Sequence, residues 1–317
     1  MHVLITGAAG MIGRKLVARL LADGEVAGQS IDQLHLVDVV EPVCGDPSVT
    51  TEALDLTAKG SAEAVAARHA DVVFHLAGVV SGEAEIDLDK GLSVNLDGTR
   101  ALFDALRAEP TAPRVVFTSS IAVFGAPFPD VIGDDFHLTP LTSYGAQKAM
   151  AELLLADYTR RGLIDGVGIR LPTISVRPGA PNAAASGFFS GIIREPLAGL
   201  EAKLPVSRDV VHTHASPRSA INYLVHAAGI DGAALGSRPN LTMPGVAVTV
   251  GQQIEALERV AGPEPVGLIR EEPDELVARI VSGWPTRFAT DRAHALGFRA
   301  EPDYDAIIRA HIEDELG

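Results

Sequence analysis

Tyr144 and Lys148 are the two side chains of this sequence with the clearest capacity for chemistry. They lie four residues apart in the segment SYGAQK, at the start of a helical stretch, so a helix places both on one face. A phenol, with a reference pKa of about 10, is a poor base at neutral pH. A nearby ammonium favours phenolate, so we expect Lys148 to lower the pKa of Tyr144 and make it a usable general base.

A pair of serines precedes this motif at the end of an apolar segment, FTSSIAVFG. The hydroxyl of Ser120 could hold the oxygen of an alcohol substrate while its proton leaves. Ser119 is the competing choice, and it could instead line a cofactor pocket. The plainest alternative is that both serines only cap the end of a strand.

Three glycines mark a turn near the beginning of the chain. Gly7, Gly10 and Gly13 lie in TGAAGMIG, between an apolar run and a stretch with helical periodicity. Their GxxGxxG spacing is a variant of the dinucleotide fingerprint, in which glycines permit a tight turn and close approach of a pyrophosphate. The free N–H groups and the dipole of the following helix would then attract the phosphate. The alternative is an ordinary strand-turn-helix corner.

Asp38 ends the second apolar strand, LHLVDVV. A carboxylate there can accept hydrogen bonds from both adenosine ribose hydroxyls and would repel a 2′-phosphate, which predicts NAD rather than NADP. Asp55 and Leu56 could contact the adenine ring. Asp55 could equally be the amino-terminal cap of the helix that follows it.

Strand-like and helix-like segments alternate over the first two-thirds of the chain. Strands are predicted at 3–6, 34–40, 71–77, 114–119 and 167–171, and helices at 11–22, 62–68, 89–108 and 143–161. Continuous apolar strands separated by helices predict an α/β fold, a doubly wound parallel sheet of the Rossmann type. We expect an NAD-binding domain over 1–171 with a return segment near 209–245. A smaller substrate-binding lobe is expected from 172–208 and 246–317.

The composition limits the possible partners and the compartment. The 317 residues carry a formal net charge of −15, which disfavours nucleic acid and anionic membranes. The single cysteine, Cys44, fits a reducing compartment. No basic leader opens the chain and no apolar run approaches the ~20 residues of a membrane helix. We therefore expect a cytoplasmic protein.

Together these segments resemble the extended short-chain dehydrogenase/reductase superfamily, which includes NAD-dependent sugar epimerases and dehydratases. The marks are TGAAGMIG, the acid at 38, DVVFHLAG, NLDGT, FTSSIAVFG and YGAQK. By position, the resemblance implies active-site roles for Ser120, Tyr144 and Lys148. It implies NAD contacts for Gly7, Gly10, Met11, Ile12, Gly13, Asp38, Asp55, Leu56, Leu76, Ala77, Asn95 and Pro172, with Ser119, Tyr144 and Lys148 beside the nicotinamide.

The same resemblance carries three further expectations. His75, at the end of a strand, should be structural and not catalytic. Relatives pair through two long helices, so a homodimer formed by the helices near 89–108 and 143–161 is expected. The segments HLAGVVSGEAE, SSIAVFGAPFPDVI, RLPTISVRPGAPNAAASGFFSGIIREPLAG and HTHASPRSA are similar to those of bacterial dehydrogenases of short sugar acids. This implies NAD-dependent oxidation of the C2 hydroxyl of D-erythronate to 2-dehydro-D-erythronate.

Two departures weaken a nucleotide-sugar interpretation. Nucleotide-sugar enzymes usually have an asparagine after the strand that ends near Arg170, where this chain has Pro172 and Thr173. Dehydratases of the group tend to have an acid just after the catalytic serine or threonine, where this chain has Ile121 and Ala122. The rival hypotheses are a nucleotide-sugar 4-epimerase that holds NAD tightly and, more remotely, a non-catalytic dinucleotide sensor.

A sugar acid also needs a group to hold its carboxylate. Arginine suits this role, and Arg177 and Arg208 are the candidates, although each could form only a surface salt bridge. Ser81 could donate a hydrogen bond to the substrate. His212 and His214 would share one face of a strand, but a metal site needs more ligands at known spacing, so no metal is expected.

Overall fold

The computed structural model describes residues 1–179 and 186–317. Residues 180–185, inside the RPGAPNAAASG part of one segment quoted above, lie outside the described residues. The chain forms two compact units. The first comprises Met1–Val123, Pro140–Arg170 and Ile221–Leu241, and the second comprises Phe124–Thr139, Leu171–Ala220 and Thr242–Gly317.

The first unit is built on a seven-stranded sheet. Its strands are β1 (His2–Thr6), β4 (Gln33–Asp38), β5 (Val49–Ala53), β6 (Val72–His75), β7 (Arg114–Ser120), β8 (Asp165–Leu171) and β12 (Asn240–Thr242). Their order is β12-β8-β7-β6-β1-β4-β5. Strand β1 pairs in parallel with β4 and β6, and β4–β5 and β6–β7 are parallel too. The expected doubly wound parallel sheet is confirmed, and a small hairpin, β2 (Glu25–Val26) and β3 (Gln29–Ser30), precedes β4.

Helices connect these strands. They are α1 (Met11–Asp23), α2 (Ser61–Ala66), α3 (Ser81–Ile86), α4 (Leu88–Gly91), α5 (Thr99–Leu106), α6 (Ser143–Arg160), α8 (Pro217–Gly229) and α9 (Gly232–Leu235). A 3₁₀ turn, Ile121–Val123, follows β7. The central strands are apolar on both faces, as the full burial of Val3, Leu4 and Ile5 in β1 shows. Parallel strands covered by helices on both sides require this pattern.

The long helical stretch expected at 89–108 is confirmed, but it is not α-helical throughout. Leu88–Gly91 is α-helical, Leu92–Gly98 is a π-helix and Thr99–Leu106 is α-helical again. A π-helix hydrogen-bonds from i to i+5 and concentrates at functional sites. Apolar periodicity cannot distinguish it from an α-helix over so few residues.

Two strands of the sheet were not anticipated. The sequence of β5, VTTEA, has no apolar run because each of its residues is at least partly exposed. The β12 strand has three residues, which is too few for an alternation pattern. Both strands lie at the ends of the sheet order, where burial and hence hydrophobic signal are weakest.

The second unit contains smaller sheets and its own core. Strands β9 (Thr173–Ile174), β11 (Val211–Ala215) and β13 (Val246–Thr249) form one sheet, and β10 (Ala202–Leu204) pairs with β14 (Ile269–Glu271). Its other helices are α7 (Gly187–Leu197), α10 (Val250–Ala261), α11 (Pro263–Val266), α12 (Glu275–Ser282), α13 (Asp291–Ala295) and α14 (Tyr304–Glu315). Phe189, Leu257 and Ile307 are at the centre of the core. Within the described residues, no helix combines the length and apolarity needed to cross a bilayer.

Candidate active site

The turn between β1 and α1 depends on glycine at two positions. Gly7 has a φ of +76°, and a Cβ there would lie 2.6 Å from the backbone nitrogen of Ala77. A Cβ on Gly13 would lie 2.3 Å from the carbonyl oxygen of Gly7. These distances are shorter than any carbon side chain allows. Glycine at both positions therefore packs the turn against the end of β6 and the helix against the turn.

Gly10 has a different environment. It is exposed, it is the N-cap of α1, and a Cβ there would approach the Gly7 carbonyl oxygen at 3.3 Å, with no closer atom among the described residues. Helix α1 begins at Met11 and Ile12 with no side-chain cap and no acidic residue in its first turn. Its first N–H groups and positive dipole end therefore suit a bound phosphate. The turn fits the pyrophosphate of a dinucleotide.

Asp38 lies directly beside this turn. One carboxylate oxygen accepts a hydrogen bond from the backbone N–H of Ala9 at 2.9 Å, and the other accepts from the backbone N–H of Val39 at 2.7 Å. These bonds fix the carboxylate, and each oxygen keeps a further lone pair. The geometry fits an acid that accepts hydrogen bonds from ribose hydroxyls.

Asp55 does not cap the helix that follows it. Helix α2 begins at Ser61 with Gly60 as its N-cap, so that alternative is wrong. Asp55 instead accepts hydrogen bonds from the backbone N–H and the hydroxyl of Thr57, at 2.9 and 2.8 Å. Leu56 packs into the core, with 9% of its surface exposed. Contact of either residue with adenine stays a prediction.

Asn95 links the loop after β6 to helix α6. It is fully buried in the π-helix. Its side-chain oxygen accepts from the backbone N–H of Val79 at 2.9 Å, and its nitrogen donates to the side-chain oxygen of Gln147 at 2.8 Å. Leu76, just before this loop, donates its backbone N–H to Thr6 in β1. The predicted cofactor contacts of Leu76, Ala77 and Asn95 thus belong to one connected region, whereas Pro172 is a buried residue of the second unit.

The start of α6 is held tightly against the turn that follows β7. Thr142 is the N-cap, and its hydroxyl accepts from the backbone N–H of Gly145 at 3.1 Å. A Cβ on Gly145 would lie 2.2 Å from the carbonyl oxygen of Ala122. Glycine next to Tyr144 therefore lets the helix start close to β7. The sequence motif contains this glycine, but its packing role was not anticipated.

The two serines at the end of β7 have different partners. Ser119 is buried, and its hydroxyl donates to a carboxylate oxygen of Glu152 at 2.5 Å. Ser120 makes a side-chain hydrogen bond with Tyr144, and its oxygen also accepts from the backbone N–H of Ala122 at 3.2 Å. The two hydroxyls therefore contact residues that lie eight positions apart on α6. The geometry supports Ser120 as the partner of Tyr144, and a nicotinamide contact of Ser119 stays a prediction.

Lys148 is buried with its ammonium between the helix and the strand. Its nitrogen donates to the carbonyl oxygen of Thr118 at 2.9 Å and lies 5.8 Å from the centroid of the Tyr144 ring. A Cβ on Gly78 would lie 3.5 Å from the same nitrogen, so the loop after β6 approaches it closely. The one-turn spacing predicted from the sequence brings Tyr144 and Lys148 together.

The lowered Tyr144 pKa that the sequence predicts depends on Lys148 and on the positive charge of a bound nicotinamide together, and it stays a prediction. In the chain alone, the effect of burial dominates. Burial raises the pKa of Tyr144 to about 12, and its hydrogen bond with Ser120 acts in the opposite direction. Burial also lowers the pKa of Lys148 to about 8, opposed by the negative charge of Glu152. Desolvation penalises the charged form of each group. At neutral pH the phenol and the ammonium both keep their protons.

His75 lies in a buried polar chain next to this pair. Its ring nitrogens contact the hydroxyls of Thr6 and Thr99 at 2.7 and 2.9 Å. Burial, with a smaller contribution from Lys148, lowers the pKa of His75 to about 3. A neutral ring with both nitrogens in use is suited to a structural role.

The two arginines proposed as carboxylate anchors differ in their environment. Arg208 is exposed and pairs with Glu271 at 2.8 Å, which is an ordinary surface salt bridge. Arg177 is half-buried, and its guanidinium donates to the hydroxyl of Ser186 at 3.1 Å. Over the described part of the chain Arg177 makes no ion pair, and burial together with the charge of Arg194 lowers its pKa. Arg177 therefore has a positive charge that no carboxylate of the described protein neutralises.

The remaining sequence candidates are two histidines and Ser81, whose hydrogen bond to the substrate stays a prediction. His212 and His214 share one face of β11, as expected, with ring centroids 5.3 Å apart. His212 contacts the hydroxyl of Thr173 at 2.6 Å, and burial lowers its pKa to about 4. Ser81 is the first residue of α3 and is partly exposed.

Several known proteins are similar to this chain in sequence. The profile of the NAD dependent epimerase/dehydratase family matches residues 3–214. A D-erythronate dehydrogenase from Cupriavidus necator is 47% identical, covering 99% of this chain and 98% of that protein. One from Haemophilus influenzae is 39% identical over the full length of both.

A solved structure described as a nucleoside-diphosphate-sugar epimerase from Agrobacterium tumefaciens superposes with a TM-score of 0.98. It is 57% identical and covers 100% of this chain and 95% of that one. UDP-glucose 4-epimerases are more distant and match about half of this chain. Since the profile covers two-thirds of the sequence and two relatives match nearly the full length of the chain at 39% and 47% identity, the chain belongs to the NAD dependent epimerase/dehydratase family.

Proposed function

We propose that this protein is an NAD-dependent dehydrogenase that oxidises the C2 hydroxyl of D-erythronate to give 2-dehydro-D-erythronate. The observation that carries the proposal is the arrangement of Tyr144, Ser120 and Lys148 at the start of α6 and the end of β7. The full-length similarity to two D-erythronate dehydrogenases supports the choice of substrate.

NAD⁺, when bound, supplies the acceptor for the hydride that leaves C2. The glycine turn and Asp38 would hold its pyrophosphate and adenosine ribose, and Lys148 would contact the nicotinamide ribose. Tyr144 takes the hydroxyl proton on its phenolic oxygen, while Ser120 donates a hydrogen bond to the oxygen that becomes the carbonyl. The C–H bond breaks with its electron pair, the O–H bond breaks to leave its proton on Tyr144, and a C=O bond forms.

The protonation state of the pair sets the direction of proton flow. With a phenol pKa of about 12 and an ammonium pKa of about 8, the pair holds both protons at neutral pH. That form can donate a proton to a carbonyl oxygen. Oxidation needs the pair to be short of one proton, so that a phenolate beside an ammonium can accept the substrate proton.

The experiment is NAD⁺ reduction, followed at the absorbance of NADH, over four- to six-carbon aldonates and uronates. We expect D-erythronate to give the highest kcat/KM. The Tyr144→Phe variant should lose at least about three orders of magnitude in kcat while still binding NAD⁺. Near-normal turnover by that variant would remove the proposed base.

Arg177 is the residue that we propose to bind the substrate carboxylate. Its charge is unpaired in the described protein, whereas Arg208 is already paired with Glu271. A guanidinium can bind a carboxylate through two parallel hydrogen bonds. Arg177→Lys should therefore raise KM for D-erythronate by at least about tenfold, and Arg208→Gln should leave it unchanged. An equal rise in KM in both variants would contradict the assignment of Arg177 as the residue that binds the substrate carboxylate.

A nucleotide-sugar epimerase is the second candidate, because the Agrobacterium tumefaciens structure that is 57% identical is described as one. An epimerase returns the hydride to its substrate and shows no net turnover of NAD. Release of NADH into solution with a sugar acid would favour the dehydrogenase. Tightly bound NAD, combined with interconversion of nucleotide sugars, would favour the epimerase.

We further propose that the enzyme works in the cytoplasm as a homodimer. Helix α6 exposes Met150 and Leu153, with 41% and 67% of their surface accessible, and Leu88 at the start of α4 is 53% exposed. A second copy could cover these side chains. Light scattering should give twice the chain mass, and Leu153→Glu should reduce it to one chain. Fractionation of cells against a cytoplasmic marker tests the compartment, which the single cysteine favours.

A further inference from the structure

Three residues of α6 contact three consecutive residues of β7. Tyr144 hydrogen-bonds with the side chain of Ser120, and Lys148 donates to the carbonyl oxygen of Thr118. One turn further along the helix, Glu152 accepts from the hydroxyl of Ser119. The three helix positions are four residues apart and therefore share one face. The first two contacts belong to the proposed reaction, and Glu152 has no part in it so far.

Glu152 is fully buried and ion-paired. The guanidinium of Arg170 in β8 donates to both of its carboxylate oxygens, with the nitrogens 2.7 to 3.1 Å away. The serine hydroxyl makes a further contact at 2.5 Å. A carboxylate that accepts this many hydrogen bonds is fixed in one position. Glu152, eight residues after Tyr144, thus connects α6 to both β7 and β8.

We propose that Glu152 is a positioning residue for the proton transfer. Held by Arg170 and Ser119, it fixes the end of β7 against α6 and keeps the neighbouring Lys148 in its ammonium form. The ammonium is what stabilises a phenolate on Tyr144. This inference rests on the proposed function for its catalytic consequence, but the effect on Lys148 can be measured without any substrate.

The charges around Lys148 decide in which direction its pKa moves when Glu152 is neutralised. Tyr144 and Glu152 flank it on its own helix, and His75 faces it from β6 as a neutral ring. Arg170 faces Glu152 from β8. Glu152 is the group that raises the pKa of Lys148 against the effect of burial. Removing this negative charge must therefore lower the pKa of the ammonium further.

The test uses Glu152→Gln, which keeps the shape of the side chain and removes its charge. Because this removes the carboxylate that pairs with the buried guanidinium of Arg170, the double variant Glu152→Gln/Arg170→Met is made as well. Replacement of a whole buried ion pair by neutral side chains is often tolerated. Asp157→Asn is the matched control, since Asp157 is an exposed carboxylate on the same helix that pairs with Arg160.

The primary readout is the titration of Lys148 by NMR of ¹³Cε-labelled lysine. The chain has 5 lysines, so the spectrum is simple, and Lys148→Arg assigns the signal. We expect the midpoint to move to lower pH by at least about half a unit in the folded single or double variant. It should not move in Asp157→Asn. Thermal unfolding establishes which variants are folded.

The second readout is the pH profile of NAD⁺ reduction. With Glu152 neutralised, the rise in activity should move to lower pH while the plateau falls, because the ammonium–phenolate form becomes rarer. A merely structural role would lower the melting temperature and leave the midpoint where it is. An unchanged Lys148 titration in the folded double variant overturns the proposal, whatever the activity assay shows. Loss of all activity on sugar acids in the wild type would overturn the proposed function alone.

Discussion

The pH dependence of substrate oxidation follows directly from the environment of Tyr144 and Lys148. Burial lowers the pKa of the ammonium to about 8 and raises that of the phenol to about 12, so the ammonium loses its proton first. Only the pair short of one proton can accept a proton from the substrate. The fraction in that state is about one-eleventh at about pH 7 and about ten-elevenths at about pH 9. Oxidation should therefore accelerate about tenfold over this interval.

The assay measures kcat/KM for NAD⁺ reduction by D-erythronate at constant ionic strength. The reverse reaction, reduction of the keto acid by NADH, should slow over the same interval because it needs both protons. Lys148→Arg provides the control, since its guanidinium does not titrate in this range and the step near pH 8 should disappear. A flat oxidation profile from about pH 7 to about pH 9, or a step that persists in Lys148→Arg, would refute the assignment.

Three further results are expected. Gly13→Ala should destabilise the first unit by about 1–3 kcal/mol and weaken NAD⁺ binding, measured by denaturant unfolding and calorimetry, because its Cβ would lie 2.3 Å from the Gly7 carbonyl oxygen. Asp38→Asn should raise the preference for NADP⁺ in a kcat/KM comparison, since it removes the charge that repels a 2′-phosphate. Lowering the pH from about 7 to about 5 should destabilise the fold by about 2 kcal/mol for His75 alone, because the unfolded ring takes up a proton near 6.5 and the folded ring only near 3. A denaturation midpoint independent of pH, or a pH slope unchanged in a folded His75→Gln variant, would contradict the last expectation.

Most strands of the central sheet were predictable because their sequences are continuous apolar runs. Runs such as DVVFHLA are buried on both faces, and the glycine turn and Asp38 occur at the expected ends of strands. The chemistry of Tyr144 and Lys148 was predictable because their spacing of four needs only a helix. The choice between Ser119 and Ser120 was not predictable from the residues alone, since the sequence does not show which hydroxyl contacts Tyr144 and which contacts Glu152.

Other features depend on tertiary contacts that no local pattern records. The Glu152–Arg170 pair joins a helix to a strand, and either residue alone looks like an ordinary surface charge in the sequence. The effect of burial on the Tyr144 pKa could not be predicted, because the sequence shows the neighbouring ammonium but not the desolvation. Arg177 and Arg208 are equivalent candidates in the sequence, and only the structure shows that Arg208 already forms a salt bridge with Glu271.

The π-helix at Leu92–Gly98 has a consequence for how this chain can change in length. A hydrogen-bonded turn of a π-helix contains one residue more than a turn of an α-helix. Deleting one residue here would therefore let the backbone relax into an uninterrupted α-helix with little loss of hydrogen bonding. The deletion would rotate one end of the segment by about 100° relative to the other. Asn95 could then reach either Val79 or Gln147 but not both. The spare residue is what allows a single amide to clamp a loop and a helix at once, and shortening this segment should be among the least tolerated deletions in the first unit.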